Sequence, residues 1–209
     1  MVTIQLVRRA MAQPLPGPAA QQLMAPRPHR AVQGLPVHYH DAGVLVLLYP
    51  HGEALSVALT RRCDHLTAHA GQISFPGGLR EPGDASLRDT ALREAREELG
   101  LDRRGLEHLG PLTPLEIPVS ANRIHPWVAY APARPALHPD PNEVAELLEV
   151  PLDLLLDAAT AGTETRIIRG YETDVPYFLV YGHKVWGATA AVLSEFLALL
   201  RSSIVGRLS

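Results

Sequence analysis

The stretch that most limits how this chain can fold is a turn followed by a bounded helix, FPGGLREPGDASLRDTALREAREELGL at residues 75–101. Pro76-Gly77-Gly78 interrupts any regular element. Ser86 with Asp89 three residues on is a capping-box variant, and Gly100 stands where a helix end takes a left-handed residue. The spacing predicts a helix over about 86–99. At about 100° per residue, Leu87, Ala91, Leu92, Ala95 and Leu99 share one broad arc that another layer must cover. Glu94, Glu97 and Glu98 gather in a narrower arc at its edge, so the carboxylates line the rim of the buried face.

Acids at a helix end meet the negative pole of the helix dipole. On an open surface like-charged neighbours cost only about 0.2–0.5 kcal/mol, and pairs such as Arg93 with Glu97 would lace a solvated face. Partly buried charges about 5 Å apart repel by roughly 3 kcal/mol at an effective dielectric near 20. A divalent cation would reverse that sign, since carboxylate oxygens, a loop carbonyl and water are what Mg²⁺ or Mn²⁺ prefers. The glycine turn lets main chain come close to a ligand and tilts the reading toward a site.

Strands are predicted at 42–49 and 54–60, joined by a turn at 50–53 into a hairpin, and again at 71–75, 106–112 and 125–132. Residues 116–124 read as a loop. Residues 142–158, NEVAELLEVPLDLLLDA, are mostly helical in composition but broken by Pro151. A strand pair follows in TETRIIRGY and VPYFLVYG, and ATAAVLSEFLALLR closes the chain as an amphipathic helix. Strands mixed with helices throughout imply a layered α/β domain.

A chain of 209 residues that is 46% hydrophobic with a net charge of −3 suits one globular domain and argues against nucleic-acid binding as its main activity. The single cysteine, Cys63, allows no intrachain disulfide and suits a reducing, cytoplasmic setting. No apolar run approaches membrane-spanning length in this reading, and AVLSEFLALL carries Glu195. Residues 1–37 are expected to be a helix, TIQLVRRAMAQ, and a Pro-rich arm, with the compact domain over 38–209. The arm lacks acids and carries Arg8, Arg9, Arg27 and Arg30, as a transit peptide would, but its prolines oppose a long amphipathic helix.

The run from Gly78 through Arg93, Glu94, Glu97 and Glu98 to Gly100 and Leu101 resembles the Nudix hydrolase signature. It departs in one respect: Arg93 lies one residue farther from the glycine than the general signature allows, with Asp84 or Ala85 in place of an early glutamate. That expansion is usual in the coenzyme A pyrophosphatase branch. The upstream run ALTRRCDHLTAHAGQISFPGG is similar to the motif of the same branch through Leu59, Thr60, Arg62, Gly71, Phe75, Pro76, Gly77 and Gly78. Ala58, Cys63 and Thr67 depart from it, Thr67 replacing a basic residue. NEVAELLEVPLD and WGATAAVLSEFL resemble later parts of such chains.

The resemblance implies a Nudix fold, an α/β/α sandwich with a central mixed sheet. It implies metal-dependent hydrolysis of the diphosphate of coenzyme A to adenosine 3′,5′-bisphosphate and 4′-phosphopantetheine. Mg²⁺ or Mn²⁺ would be held by Glu94, Glu97, Glu98 and the Gly78 carbonyl, with Arg93 orienting the carboxylates. The general base would be Glu97, or Glu143 or Glu146 from NEVAE. Arg62 and Arg80 are candidate phosphate contacts, with plain surface arginines as the equal alternative. ADP-ribose or a dinucleotide is the alternative substrate class, and a non-catalytic ligand sensor is the alternative role.

The other reactive residues fit bland roles better. His65 and His69 have helical ligand spacing in a stretch without helix signals, and the histidines of HYH at 38–40 alternate as in a strand. Cys63 has no evident base to make it a nucleophile. Trp127 and Trp186 are expected in packing roles.

Overall fold

The computed structural model describes residues 1–27, 38–67, 69–168 and 170–205. Part of the Pro-rich arm, including Arg30, and the expected domain boundary at 37 and 38 fall in or beside a segment outside the described residues.

The central sheet is built on β1 (His40–His51), which runs between β2 (Ala54–Arg62) and β7 (Asn122–Tyr130). The β1–β2 hairpin is antiparallel, but β1 pairs with β7 in parallel, from His40 opposite Asn122 to Leu48 opposite Tyr130. The sheet is therefore mixed. The short strands β3 (Ile73–Ser74), β4 (Gly77–Leu79), β5 (Glu107–Pro111) and β6 (Leu115–Ile117) and the longer β8 (Val144–Pro151) complete it.

Helices cover both faces, which explains why β1 is apolar without interruption from Val44 to Leu48. Leu45, Leu47 and Tyr49 point to one side and pack with Ala91, Leu92 and Ala95 of α3 (Leu87–Leu99). Val46 and Leu48 point to the other and join Leu193, Phe196 and Leu197 of α5 (Gly187–Val205). Burial of each such side chain stabilises by about 1.5–3 kcal/mol. The expected layered α/β/α arrangement with a mixed sheet is present.

Helix α1 (Ile4–Met11), capped by Thr3, sends Leu6, Val7 and Ala10 into the α5-side core. A second short helix, α2 (Pro18–Gln21), lies against α5. Wholly buried Glu195 accepts from Thr113 Oγ1 (2.5 Å), Gln21 Nε2 (2.9 Å) and the Gly17 amide (3.3 Å), fastening the N-terminal segment to the last helix. An antiparallel sheet of β9 (Ala161–Ile168), β10 (Tyr171–Val180) and β11 (His183–Trp186) packs Phe178, Val180 and Val185 into the same core.

Three local expectations are corrected. Residues 144–151 form strand β8, paired with β2 from Ser56 opposite Pro151 to Arg61 opposite Glu146, and only Leu152–Leu156, helix α4, is helical. The expected loop at 116–124 contains a hairpin in which Ile117 faces Asn122, turning through Ala121 at φ +53°. Helix α5 extends over 19 residues with a mean hydropathy of 1.5, long and apolar enough to cross a membrane, but 67% of that stretch is buried inside the fold.

Candidate active site

Helix α3 begins where expected. The Ser86 hydroxyl accepts from the Asp89 amide (3.2 Å) and donates to the Asp89 carboxylate (2.6 Å), and Gly100 ends the helix at φ +64°. The helix sits unusually close to β1 at Gly43, where a Cβ would lie 2.8 Å from the Ala91 nitrogen. This approach brings β4 beside the helix: Gly78 pairs with Gly43, and a Cβ on Gly78 would lie 2.5 Å from the Glu94 carboxyl carbon. Glycine at both positions is thus a packing requirement, and it sets Gly78 against Glu94.

Arg93 organises the acids. Its Nε and Nη2 form a fork on Asp84 (both 3.1 Å), and Nη2 also donates to the Leu79 carbonyl (3.0 Å). Its Nη1 donates to Glu94 (2.8 Å) and Glu97 (2.9 Å). Asp84 also accepts from the Glu81 amide and the Thr90 hydroxyl, both at 2.9 Å. Hydrogen bonds from Arg93, chiefly, hold Asp84 down at about 2. Of the two residues left open for the place of the early glutamate, Asp84 is the one that grips the arginine.

Glu98 is 3% exposed and unlike its neighbours. Burial, reinforced by the charge of Glu94, raises its carboxyl to about 8 against the lowering influence of Arg62. Arg62 Nη1 stands 4.0 Å from Glu98 Oε1, while Glu98 Oε2 and Arg62 Nε are buried without a hydrogen-bond partner. Burial likewise raises Glu94, with Arg93 opposing and Glu97 and Glu143 adding to the rise. Glu97 is more open, its side chain 52% exposed.

The structure gathers Gly78, Arg93, Glu94, Glu97, Glu98 and Arg62 at one place. Glu143 adds its charge to both Glu94 and Glu98. Glu146 instead faces His183 (3.1 Å) and Arg61 (3.9 Å). Arg80 donates to the Asp84 carbonyl (3.2 Å) and lines a cleft of about 400 Å³ with Tyr39, His40, Asp41 and Glu81. His69, at φ +58°, bonds Gln72, and neither it nor His65 lies in a helix. Cys63 is buried with its sulfur 3.4 Å from the Pro141 carbonyl. What the sequence reading missed was Arg61, opposite Glu146 in the β2–β8 register; treating 144–151 as helix concealed it.

Residues 39–170 match the NUDIX domain family. The chain belongs to the Nudix hydrolases. A protein of Pectobacterium atrosepticum named as an uncharacterized Nudix hydrolase NudL is 40% identical over 162 residues, covering 77% of this chain and 83% of its own length. One of the same name from Yersinia enterocolitica is 36% identical over 181 residues, 82% of this chain and 85% of its own. The Nudix fold is shared with a Caenorhabditis elegans Ap4A hydrolase, at TM-score 0.51 and 15% identity over 80% of this chain and 98% of that one. It is shared too with the Nudix hydrolase RenU of Mycobacterium smegmatis, at TM-score 0.50 and 19% identity over 82% and 88%. As a Nudix hydrolase the chain cleaves the pyrophosphate bond of a nucleoside diphosphate derivative.

Nudix hydrolases generally use divalent ions such as Mg²⁺ or Mn²⁺, and the donors here fit one. The carboxylates of Glu94 and Glu98 lie along a glycine loop, with Glu98 Oε2 buried and unpartnered and burial disfavouring the charge of both. In the conformation seen, Glu94 and Glu97 are turned to Arg93, and no group of three acids or histidines stands in chelating array among the described residues.

Proposed function

We propose that this Nudix hydrolase is a coenzyme A diphosphatase, acting on coenzyme A and its derivatives with Mg²⁺ or Mn²⁺ to give adenosine 3′,5′-bisphosphate and 4′-phosphopantetheine. The observation that carries the reading is the run from Leu59 to Gly78. Its strand β2 ends with Arg62 directed at Glu98, and its Phe75-Pro76-Gly77-Gly78 end lays Gly78 against Glu94. A motif characteristic of the coenzyme A branch is thereby joined physically to the acids of the family signature.

Glu94, Glu97, Glu98 and the Gly78 carbonyl would hold the ions. When bound, divalent ions neutralise diphosphate oxygens and lower the pKa of water. Hydrolysis forms an oxygen–phosphorus bond from water and breaks the bond from the bridging oxygen to that phosphorus. Glu97 takes the proton lost by water, because it is the most open carboxylate of the three and only one of its oxygens is engaged by Arg93. Glu143 adds negative charge beside Glu94 and Glu98, whereas Glu146, held by His183 and Arg61, would contact substrate rather than the attacked phosphorus. Arg93 orients Glu94 and Glu97 from its Asp84 anchor, Arg62 offsets charge at Glu98, and Arg80 offers a guanidinium to phosphate at the neighbouring cleft.

The test is a substrate panel with Mg²⁺ or Mn²⁺ and products identified by mass spectrometry. Coenzyme A is expected to turn over faster than ADP-ribose or diadenosine polyphosphates. Preference for ADP-ribose would overturn the substrate assignment, and no cleavage of any diphosphate would overturn the enzymatic reading.

A further inference from the structure

A second cleft, of about 480 Å³, lies between the turn that precedes β3 and the second sheet, lined by Gly71, Gln72, Arg166, His183, Lys184 and Trp186. Its sheet side alternates cations with aromatic rings. The Arg166 guanidinium sits 4.6 Å from the Trp186 ring centre and the Lys184 ammonium 5.0 Å from that of Tyr177. Tyr177 and Trp186 are register partners, and Gly162 leaves room for the Tyr177 ring, where a Cβ would lie 2.6 Å from its hydroxyl oxygen. Glu164 accepts from both Arg166 and Lys184, so this group carries two cations to one anion. Among the described residues, Arg166 Nη1 and the other Lys184 N–H groups are not engaged by Glu164.

The turn on the opposite wall requires glycine at Gly71. Gly71 has φ +67°, and a Cβ there would lie 3.0 Å from Asp64 Oδ1, which is bonded to Arg61 at 2.8 Å. The wall belongs to the same Leu59–Gly78 run that leads to the acid cluster, and successive residues at the end of β2 serve the two places. Arg62 is directed at Glu98, while Arg61 is directed at Glu146, the partner of His183 in the cleft wall.

The geometry points to a nucleoside-phosphate subsite in this cleft: a purine stacks on the Trp186 side, and a phosphomonoester is taken by Lys184 and Arg166. Stacking on an aromatic ring and a charge-assisted phosphate contact are the two features this wall offers together, and a nucleotide is the small ligand that uses both. The inference rests on the reading of the substrate as coenzyme A, whose adenosine end carries a phosphomonoester that lies outside the bond to be cut. It assigns that end to a place away from the acid cluster.

Binding of adenosine 3′,5′-bisphosphate and of adenosine 5′-monophosphate to the full chain in EDTA, by calorimetry, tests it without turnover. The bisphosphate is expected to bind about tenfold or more tightly than the monophosphate, and Lys184→Ala is expected to erase that preference. In a Trp127→Phe background the remaining tryptophan fluorescence is expected to be quenched by the bisphosphate. Equal binding of the two nucleotides, a preference that survives Lys184→Ala, or no quenching would overturn the subsite. If the bisphosphate binds as described while coenzyme A is not hydrolysed, the subsite stands and the substrate assignment falls. If coenzyme A is hydrolysed and Lys184→Ala leaves its kcat/KM ratio to 3′-dephospho-coenzyme A unchanged, the assignment stands and the subsite falls.

Discussion

Arg93 and Glu98 divide the work of the acid cluster in opposite ways. Arg93 is saturated by Asp84, Glu94, Glu97 and the Leu79 carbonyl, whereas Glu98 keeps a buried oxygen with no partner. Asp84 is therefore a positioning residue, and its value depends on its charge. Its folded pKa of about 2 lies below the ordinary 3.8, so its stabilisation is complete above about pH 4 and is lost as pH falls through 2. Asp84→Asn is expected to lower the urea midpoint at pH 7 by the equivalent of about 1.5–3 kcal/mol, and the gap to the unsubstituted chain should close toward pH 2. A gap independent of pH would mean that shape and not charge holds Arg93. For the proposed base, Glu97→Gln should lower kcat by about a hundredfold or more, with an unchanged thermal melt because the side chain is half exposed. Near-normal rates would remove Glu97 from that role.

At the scale of elements, the close contact of α3 with β1 fixes where the acids stand. Gly43→Val places atoms against the Ala91 main-chain nitrogen, which cannot swing aside as a side chain would. A loss of about 1–3 kcal/mol is expected, read as a Tm lowered by about 2–4 °C for each kcal/mol. Helix α3 was legible in the sequence because local chemistry specifies it: Ser86 caps one end, Gly100 the other, and the apolar arc repeats at helical spacing. The β1–β2 hairpin was legible for the same reason, through its apolar runs and turn. Strand β8 was not. Its Ala, Glu and Leu residues favour helix, and only pairing with β2 along Ser56–Arg62 overrides that preference, a long-range term absent from any local window. The acids Glu94, Glu97 and Glu98 could be named from spacing, but the burial of Glu98 beside Arg62 and the exposure of Glu97 come from tertiary packing alone.

At the scale of the whole molecule, residues that read as an arm before the domain share its core. Leu6, Val7 and Ala10 lie in the α5-side core, and Arg27 exchanges main-chain hydrogen bonds with Asp174 of β10 at 2.8 and 2.7 Å. Glu195→Ala would leave the buried Gly17 and Gln21 donors and the half-buried Thr113 hydroxyl without their acceptor. It is expected to cost about 3 kcal/mol in urea unfolding and to speed proteolysis near residues 12–17; unchanged stability would show that water replaces the carboxylate there. The same frame carries the acid cluster on one face of the sheet and α5 on the other, so both the hydrolytic reading and the ion that it needs depend on one assembled site. Titration of the full chain with Mn²⁺, following free Mn²⁺ by electron paramagnetic resonance, addresses that site most directly. Uptake of Mn²⁺ by the unsubstituted chain, weakened about tenfold or more by Glu98→Gln, is the expected result. No uptake, or uptake that Glu98→Gln leaves unchanged, would contradict it.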